Sequence, residues 1–365
     1  MVKRKGYLLE KIATKENIEL GDKNSRKNKS VKTRFYISQH DLNKEEDNSK
    51  ILDSFKNGKY KTSKYKTDII YEPKERILSK LPYYPDRIAH CAIMNVMKPI
   101  WIKQFVNYTY ANIEGRGVHA CKREVERIIN KYNKKGMIMY YLQFDISKFY
   151  YNIVHRILKE ILSRKIKDNK LLTILYEIID SHKYEGKYKY VNETSGLPLG
   201  NYPSGYECNL YLDSFDRWLK EELKCKYVVR YADDIVVFSD SKEFLHKVLI
   251  CSKLYLKSKL ELKIKDNYHI SRIDKQPINF IGYVFSNNHT KVRKSIKTKI
   301  AKLIDDYNKG HITNSKFIRS ISSYFGWLVN GDCRYLFNKL CIIISTKNNY
   351  VKSNIEKLKV KYINY

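Results

Sequence analysis

Residues 225–240 read CKYVVRYADDIVVFSD, two apolar runs around the polar centre Tyr231-Ala232-Asp233-Asp234. Short runs rich in β-branched and aromatic residues on either side of a tight polar centre predict a β-hairpin with the acids at its tip. The tip lacks the Gly or Asn that two-residue hairpin turns favour. Like charges this close raise each other's pKa, and a divalent cation removes that penalty. Taken alone, the pair is either a metal site or a solvated turn, because Asp is common in turns.

Upstream, residues 137–146 (MIMYYLQFDI) follow Gly136 and predict a strand that carries Asp145 at its end. Asp145 is too far from Asp233 in sequence for local pairing, but adjacent strands of one sheet bring such residues together. Two strand-borne Asp can clamp two Mg²⁺ ions about 3.5–4 Å apart. Mg²⁺ takes few carboxylates and leaves positions for substrate phosphates, which suits in-line nucleotidyl transfer. The alternative role for Asp145 is an N-cap on the next helix, which Ser147 could also fill. Tyr150 follows five residues later, flanked by Phe149 and Tyr151. A ring placed under the sugar of an incoming nucleotide clashes with a 2′-OH and favours deoxynucleotides; the alternative for its neighbours is core packing. Between these strands lies residues 196–205, GLPLGNYPSG, a loop that lets backbone approach a ligand closely.

The rest of the chain fits an α+β pattern with an antiparallel sheet. Residues 8–18 predict a short helix, 22–34 a basic loop, 40–68 a helix then a turn, and 65–73 a strand. A helix starting at Asp86 as N-cap should bend or restart at Pro99. A second helix runs over 117–136 and stops at Gly136, and about 30 helical residues follow 145. After the hairpin come a helix over 242–260, strands in 261–273 and 278–286, and a basic, mostly helical region over 291–365.

Composition selects partners. The 365 residues carry 71 Lys+Arg against 39 Asp+Glu, a net charge of +32, a field that attracts polyanions. With 43% hydrophobic residues the chain is not intrinsically disordered, and no apolar run is long enough for a membrane span. The N-terminus lacks the apolar stretch of a secretory signal. The 32 Tyr suit stacking on bases, although an AT-rich genome would also favour Tyr, Lys, Asn and Ile. Seven Cys without a CxxC pair point to free buried thiols in a reducing cytoplasm.

The ordered set FDISKFYYNI, GLPLGNYPSGYECNLYL and YADD resembles motifs A, B and C of the reverse transcriptase family, in its bacterial retron-type and intron-type group. The resemblance spans roughly residues 1–340 and implies a right-hand polymerase fold: N-terminal region and fingers over 1–135, palm over 136–285 with a finger-like helical insertion at about 155–190, thumb and C-terminal helices over 286–365. It implies an RNA-directed DNA polymerase, a nucleotidyltransferase, with Asp145, Asp233 and Asp234 catalytic. Those three and Ile146 hold two Mg²⁺ ions, or Mn²⁺. Tyr150 is the steric gate, and Lys74, Arg76, Phe149, Gly200 and Ser204 bind the dNTP. Arg116, near the template, and Gly282, Tyr283, Arg293 and Lys294, in the primer grip NFIGYVF and the thumb, bind nucleic acid.

Three positions depart from the family pattern. Leu199 stands where many members have Gln before the motif B Gly, as in diversity-generating retroelement enzymes and bacterial groups linked to phage defence. Gly205 follows the motif B Ser in place of Pro or Gln. Tyr268 aligns near the motif D Lys, leaving Lys263 or Lys265 to protonate pyrophosphate. RNase H, HNH endonuclease and maturase segments are expected to be lacking. The implied partners are a template RNA (a dedicated noncoding RNA), the cDNA product and dNTPs, with an accessory protein or homo-oligomer and no membrane. The implied role is anti-phage defence in the cytoplasm; the alternatives are a diversity-generating retroelement and a catalytically idle RNA-binding module. The basic stretch 22–34 is assigned to partner RNA.

Overall fold

The computed structural model describes residues 4–27, 31–71, 75–184 and 193–345, together with 353, 354, 356, 357 and 360. Four helices open the chain, α1 (Leu8–Ile12), α2 (Lys15–Ser25), α3 (Val31–Leu42) and α4 (Lys44–Lys56). An antiparallel hairpin of β1 (Lys66–Ile70) and β2 (Arg76–Lys80) precedes α5 (Ile88–Ile102) and α6 (Val118–Lys134). The loop expected over 22–34 is mostly helical where described. Asp22 is buried and accepts from Arg26, which also reaches Asp41, so charge density here reflects internal pairing as well as solvation.

The central sheet is built from β3 (Tyr140–Asp145), β4 (Tyr227–Tyr231), β5 (Asp234–Ser239) and β6 (His269–Arg272) in the antiparallel order β4-β5-β3-β6. Between β3 and β4 the chain passes through a 3₁₀ turn (Phe149–Asn152), α7 (His155–Lys165), α8 (Asn169–Asp180) and α9 (Ser204–Glu221); α10 (Lys242–Leu260) follows β5. The sheet is covered on both faces, which explains its continuous apolar runs. Leu142, Phe144, Val228, Ile235 and Val237 share a core with α5, α7, α9 and α10. Tyr141, Val229, Val236 and Phe238 alternate to the other face and join Cys121, Val125, Ile128 and Ile129 of α6. These α6 residues recur at helical spacing, and Gly136, at φ +61°, follows the helix as expected.

The second core continues into the C-terminal region, a three-stranded sheet of β7 (Ile278–Phe280), β8 (Tyr283–Phe285) and β9 (Thr290–Val292), then α11 (Lys294–Asn308), α12 (Asn314–Val329) and α13 (Arg334–Ser345). The single strand expected over 278–286 is a hairpin. Its turn is Ile281-Gly282, and a β-carbon on Gly282 (φ +84°) would stand 2.6 Å from the Trp327 ring of α12. Only a glycine lets the turn seat against that indole.

Two local expectations change. Asp86 is no N-cap: it is buried in the turn before α5 and accepts from the Tyr60 hydroxyl (2.7 Å) and the Ser63 amide (3.1 Å). Pro99 lies in the last turn of α5, and the helix continues through it to Ile102. The seven cysteines are free thiols, five of them buried, as expected. Among the described residues no helix is long and apolar enough to cross a membrane.

Candidate active site

Sheet register brings the acids together. Asp145 ends β3 directly opposite Asp234, the first residue of β5, and Asp234 in turn faces Tyr231 of β4. This leaves Ala232 and Asp233 as a two-residue turn. Ala232 takes φ +57°, a left-handed conformation that is costly for a residue with a β-carbon. The turn chemistry missing from the sequence is therefore replaced by outside support. The Asp233 carbonyl accepts from the Ile146 amide at 3.2 Å, and the Ala232 carbonyl accepts from Arg230 at 2.9 Å.

Arg230 is the principal residue that sequence reasoning missed. It is buried in the middle of an apolar strand, with Nε 2.8 Å and Nη2 2.6 Å from the Asp216 carboxylate of α9. Further bonds run to Asn209 (3.1 Å) and Thr109 (3.2 Å). Burial pushes the Asp216 carboxyl up and the guanidinium pulls it back. An Arg inside the run YVVRY was the available signal, since a charge there needs a buried partner.

The electrostatics of the acids fit a cation. Burial first, then the charges of Asp145 and Asp234, push the Asp233 carboxyl up to about 7. Asp145 Oδ1 is shielded from solvent and accepts no hydrogen bond among the described residues. Its Oδ2 is engaged by the Lys265 ammonium, held there because the Lys265 amide donates to the Asp145 carbonyl at 2.8 Å. Crowded carboxylates with an orphan oxygen and a lysine drawn onto them form a donor set suited to a hard divalent ion. Among the described residues no three acid, His or Cys side chains converge on one point. Asp145 and Asp233 are the crowded carboxylates that could hold such an ion. Ile146 has a buried alkyl side chain with no donor atom, so it could reach an ion only through its carbonyl oxygen.

Beside the acids, Tyr150 lines a cavity of about 560 Å³ with Asn112, Arg116, Gly200, Ser204 and Gly205. Its hydroxyl bonds the Cys208 thiol and the Asn112 side chain; the thiol, then burial, raise its pKa. Gly205 has a packing reason: a β-carbon there would stand 2.6 Å from Asn112 Cγ. The Ser79 amide of β2 donates to the Leu199 carbonyl at 3.1 Å, fastening the β1-β2 hairpin to this loop.

Not every expected residue reaches the site. Phe149 is buried in the core, so its side chain is not open to a nucleotide. Tyr283 is also a core residue: its ring packs on Trp327 and its hydroxyl donates to the Trp327 carbonyl at 3.3 Å, which removes it from a nucleic-acid surface. Arg116 spends Nη1 on the Val106 (2.8 Å) and Thr109 (3.0 Å) carbonyls, bracing the loop while lining the cavity. Arg76 is exposed at the start of β2, Lys294 is exposed at the start of α11, and Arg293 donates to Asn279 at 2.6 Å. Lys74 lies outside the described residues.

A family model described as reverse transcriptase, an RNA-dependent DNA polymerase, matches residues 61–285. Protein YkfC of Escherichia coli (strain K12) is 29% identical over 143 residues, 39% of this chain and 36% of that protein. The group II intron-encoded protein LtrA of Lactococcus lactis subsp. cremoris is 21% identical over 303 residues, 66% of this chain and 49% of that protein. The chain thus spans about half, or less, of these relatives' length. Among solved structures, apo telomerase from Candida tropicalis aligns with a TM-score of 0.49 at 13% identity, over 86% of this chain and 63% of that one.

Proposed function

The chain belongs to the reverse transcriptase family, and from that premise we propose that it copies RNA into DNA, extending a primer 3′-hydroxyl with dNTPs. The observation that carries this is the register of Asp145 against the Ala232-Asp233 turn, which crowds two carboxylates beside the Tyr150 cavity. The reaction is attack of the primer oxygen on the α-phosphorus, with the bond to pyrophosphate breaking in line. Divalent cations held by Asp145 and Asp233 would neutralise the triphosphate and lower the primer hydroxyl's pKa. Tyr150, fixed by Cys208 and Asn112, presents its ring to the sugar and excludes a 2′-hydroxyl. Lys74 and Arg76 balance charge on the departing pyrophosphate. The basic C-terminal helices grip the template–product duplex.

The template we assign is a dedicated noncoding RNA, and the role anti-phage defence; Leu199 in the motif B loop fits this role and a diversity-generating element alike. Sequencing the cDNA made in cells tests both. Reads from one structured RNA, dependent on Asp233, support the assignment. Reads from a variable protein-coding repeat favour a diversity-generating element, and the absence of Asp233-dependent cDNA favours an idle binding module.

A further inference from the structure

The outward face of α6 carries a row of cations that runs from the catalytic-turn end of the hairpin, where Cys121 feels the charge of Asp234, to its far end at Tyr227. Arg123, Arg127, Lys131, Lys134 and Lys135 recur at spacings of three or four residues and border an open concavity of about 680 Å³. All five are exposed, whereas Cys121, Val125, Ile128, Ile129 and Tyr132 face inward. At 1.5 Å per residue the row is about 18 Å long. Lys131 and Lys135 also border a second concavity of about 210 Å³, shared with Lys224, Lys226 and Tyr227 at the start of β4. The two hollows form one surface. Tyr227 pairs with Phe238, at the far end of the hairpin from Asp233, about 13 Å from Tyr231 at 3.3 Å per residue.

Charge on this surface is largely uncompensated. Arg127 pairs with Glu124, Glu126 is taken by Lys122, and Asp240 is the acid bordering the smaller hollow. Arg123, Lys131, Lys134, Lys135, Lys224 and Lys226 form no ion pair among the described residues. Lys131 bonds the Tyr227 hydroxyl, and its charge, with those of Lys226 and Lys135, lowers the pKa of that phenol. The ammonium groups of Lys131 and Lys226 lie 5.4 and 5.8 Å from the ring centre. A phenol flanked by two ammonium groups marks a corner of positive potential, the environment that a phosphate oxygen needs.

We propose that the α6 row and the Lys224–Tyr227 corner form a second nucleic-acid site, which binds the backbone of a double-stranded RNA segment outside the copying cleft. A duplex carries about one charge per 1.7 Å of axis, so some ten phosphates lie along the row. An acidic protein is the lesser match. Protein interfaces are centred on apolar and aromatic anchors, and the outward positions of α6 are polar throughout. The site reads backbone and shape, so it binds without sequence preference. It would tether a folded RNA while another part of the same molecule is copied.

The test is a quadruple variant of the full chain, Arg123→Gln, Lys131→Gln, Lys134→Gln and Lys135→Gln. A control variant of equal charge loss on α10 carries Lys242→Gln, Lys247→Gln, Lys257→Gln and Lys259→Gln, all at exposed positions. Affinity for a hairpin RNA with a blocked 3′ end is followed by fluorescence anisotropy over a salt series. Extension of a short primer–template reports on folding and the cleft. The α6 variant should bind the hairpin at least about tenfold more weakly, with its log–log salt slope reduced by about 3–4, and extend the short substrate as wild type does. The α10 control should keep the wild-type slope. Equal losses in both variants would overturn the proposal in favour of general charge. So would an unchanged α6 slope. Loss of extension by wild type itself refutes the polymerase reading and leaves this one standing.

Discussion

The buried Arg230–Asp216 pair makes the most demanding prediction, because it ties stability and the catalytic turn to one side chain. Both side chains are almost fully buried, and Arg230 makes hydrogen bonds to Asp216, Asn209, Thr109 and the Ala232 carbonyl. Arg230→Met strips Asp216 of its counter-charge, and removing one partner of a buried pair costs about 3–5 kcal/mol. At about 2.1 cal/mol/K per residue, a chain of this size melts about 4–7 °C lower. Adding Asp216→Leu removes the stranded carboxyl, and apolar replacement of a whole buried pair is often neutral. Most of the melting temperature should therefore return in the double variant. Extension should not: Ala232, at φ +57°, still lacks the charged donor on its carbonyl, a bond worth about 1.5–3 kcal/mol, or about 10- to 100-fold in rate. The single variant also has a pH signature. Asp216, already raised by burial, rises further without Arg230. A carboxyl with a raised folded-state value destabilises when forced to ionise, so the deficit is full at high pH and shrinks on acidification. Scanning calorimetry at several pH values, paired with primer extension, reads all three effects. A single variant that melts with wild type, or a double variant that recovers extension with stability, would refute the reasoning.

Other predictions follow from the site. Asp233, pushed up to about 7 from an ordinary value near 3.8, gives metal-free protein stability that is present below the ordinary value and lost as pH rises through 7; melting in EDTA should fall from about pH 5 to pH 8, Asp233→Asn should flatten that slope, and Mg²⁺ should stabilise more at the upper end. Lys265→Gln frees Asp145 Oδ2, so the Mg²⁺ concentration for half-maximal extension should fall; a drop in maximal rate at unchanged Mg²⁺ dependence would instead make Lys265 a proton donor. Gly205→Ala pushes Asn112 off its place beside Tyr150, so the ratio of dNTP to rNTP incorporation should drop toward that of Tyr150→Ala, and an unchanged ratio contradicts the gate assignment. Gly282→Ala meets Trp327 in a left-handed turn and should cost about 1–3 kcal/mol by denaturant melt, without a change in nucleotide selection.

Much of this site was legible in the sequence. The hairpin and the strand ending in Asp145 could be read because β-branched and aromatic runs end abruptly at acids, and short-range pattern reports such ends directly. What remained hidden depends on contacts distant in sequence. Tyr283 looks like a surface aromatic next to a glycine, yet the turn at Gly282 folds it under Trp327. Phe149 and Tyr150 are adjacent and chemically alike, and only the 3₁₀ turn after Lys148 (φ +46°) decides which ring is buried. Arg230 could have been flagged as a misplaced charge, but its partner Asp216 sits in a helix whose surroundings are fixed only by packing. The basic stretch at 22–34 shows the same limit, since composition cannot separate an Arg paired to Asp22 and Asp41 from one left for a polyanion.

The central claim is that Asp145 and Asp233 form the catalytic centre of an RNA-copying polymerase. It is tested most directly by extending a labelled DNA primer on an RNA template with dNTPs and Mg²⁺, comparing wild type with Asp233→Asn. Template-dependent extension by wild type and none by the variant is the predicted result. Equal extension by both, or none by wild type on any primed RNA, contradicts it.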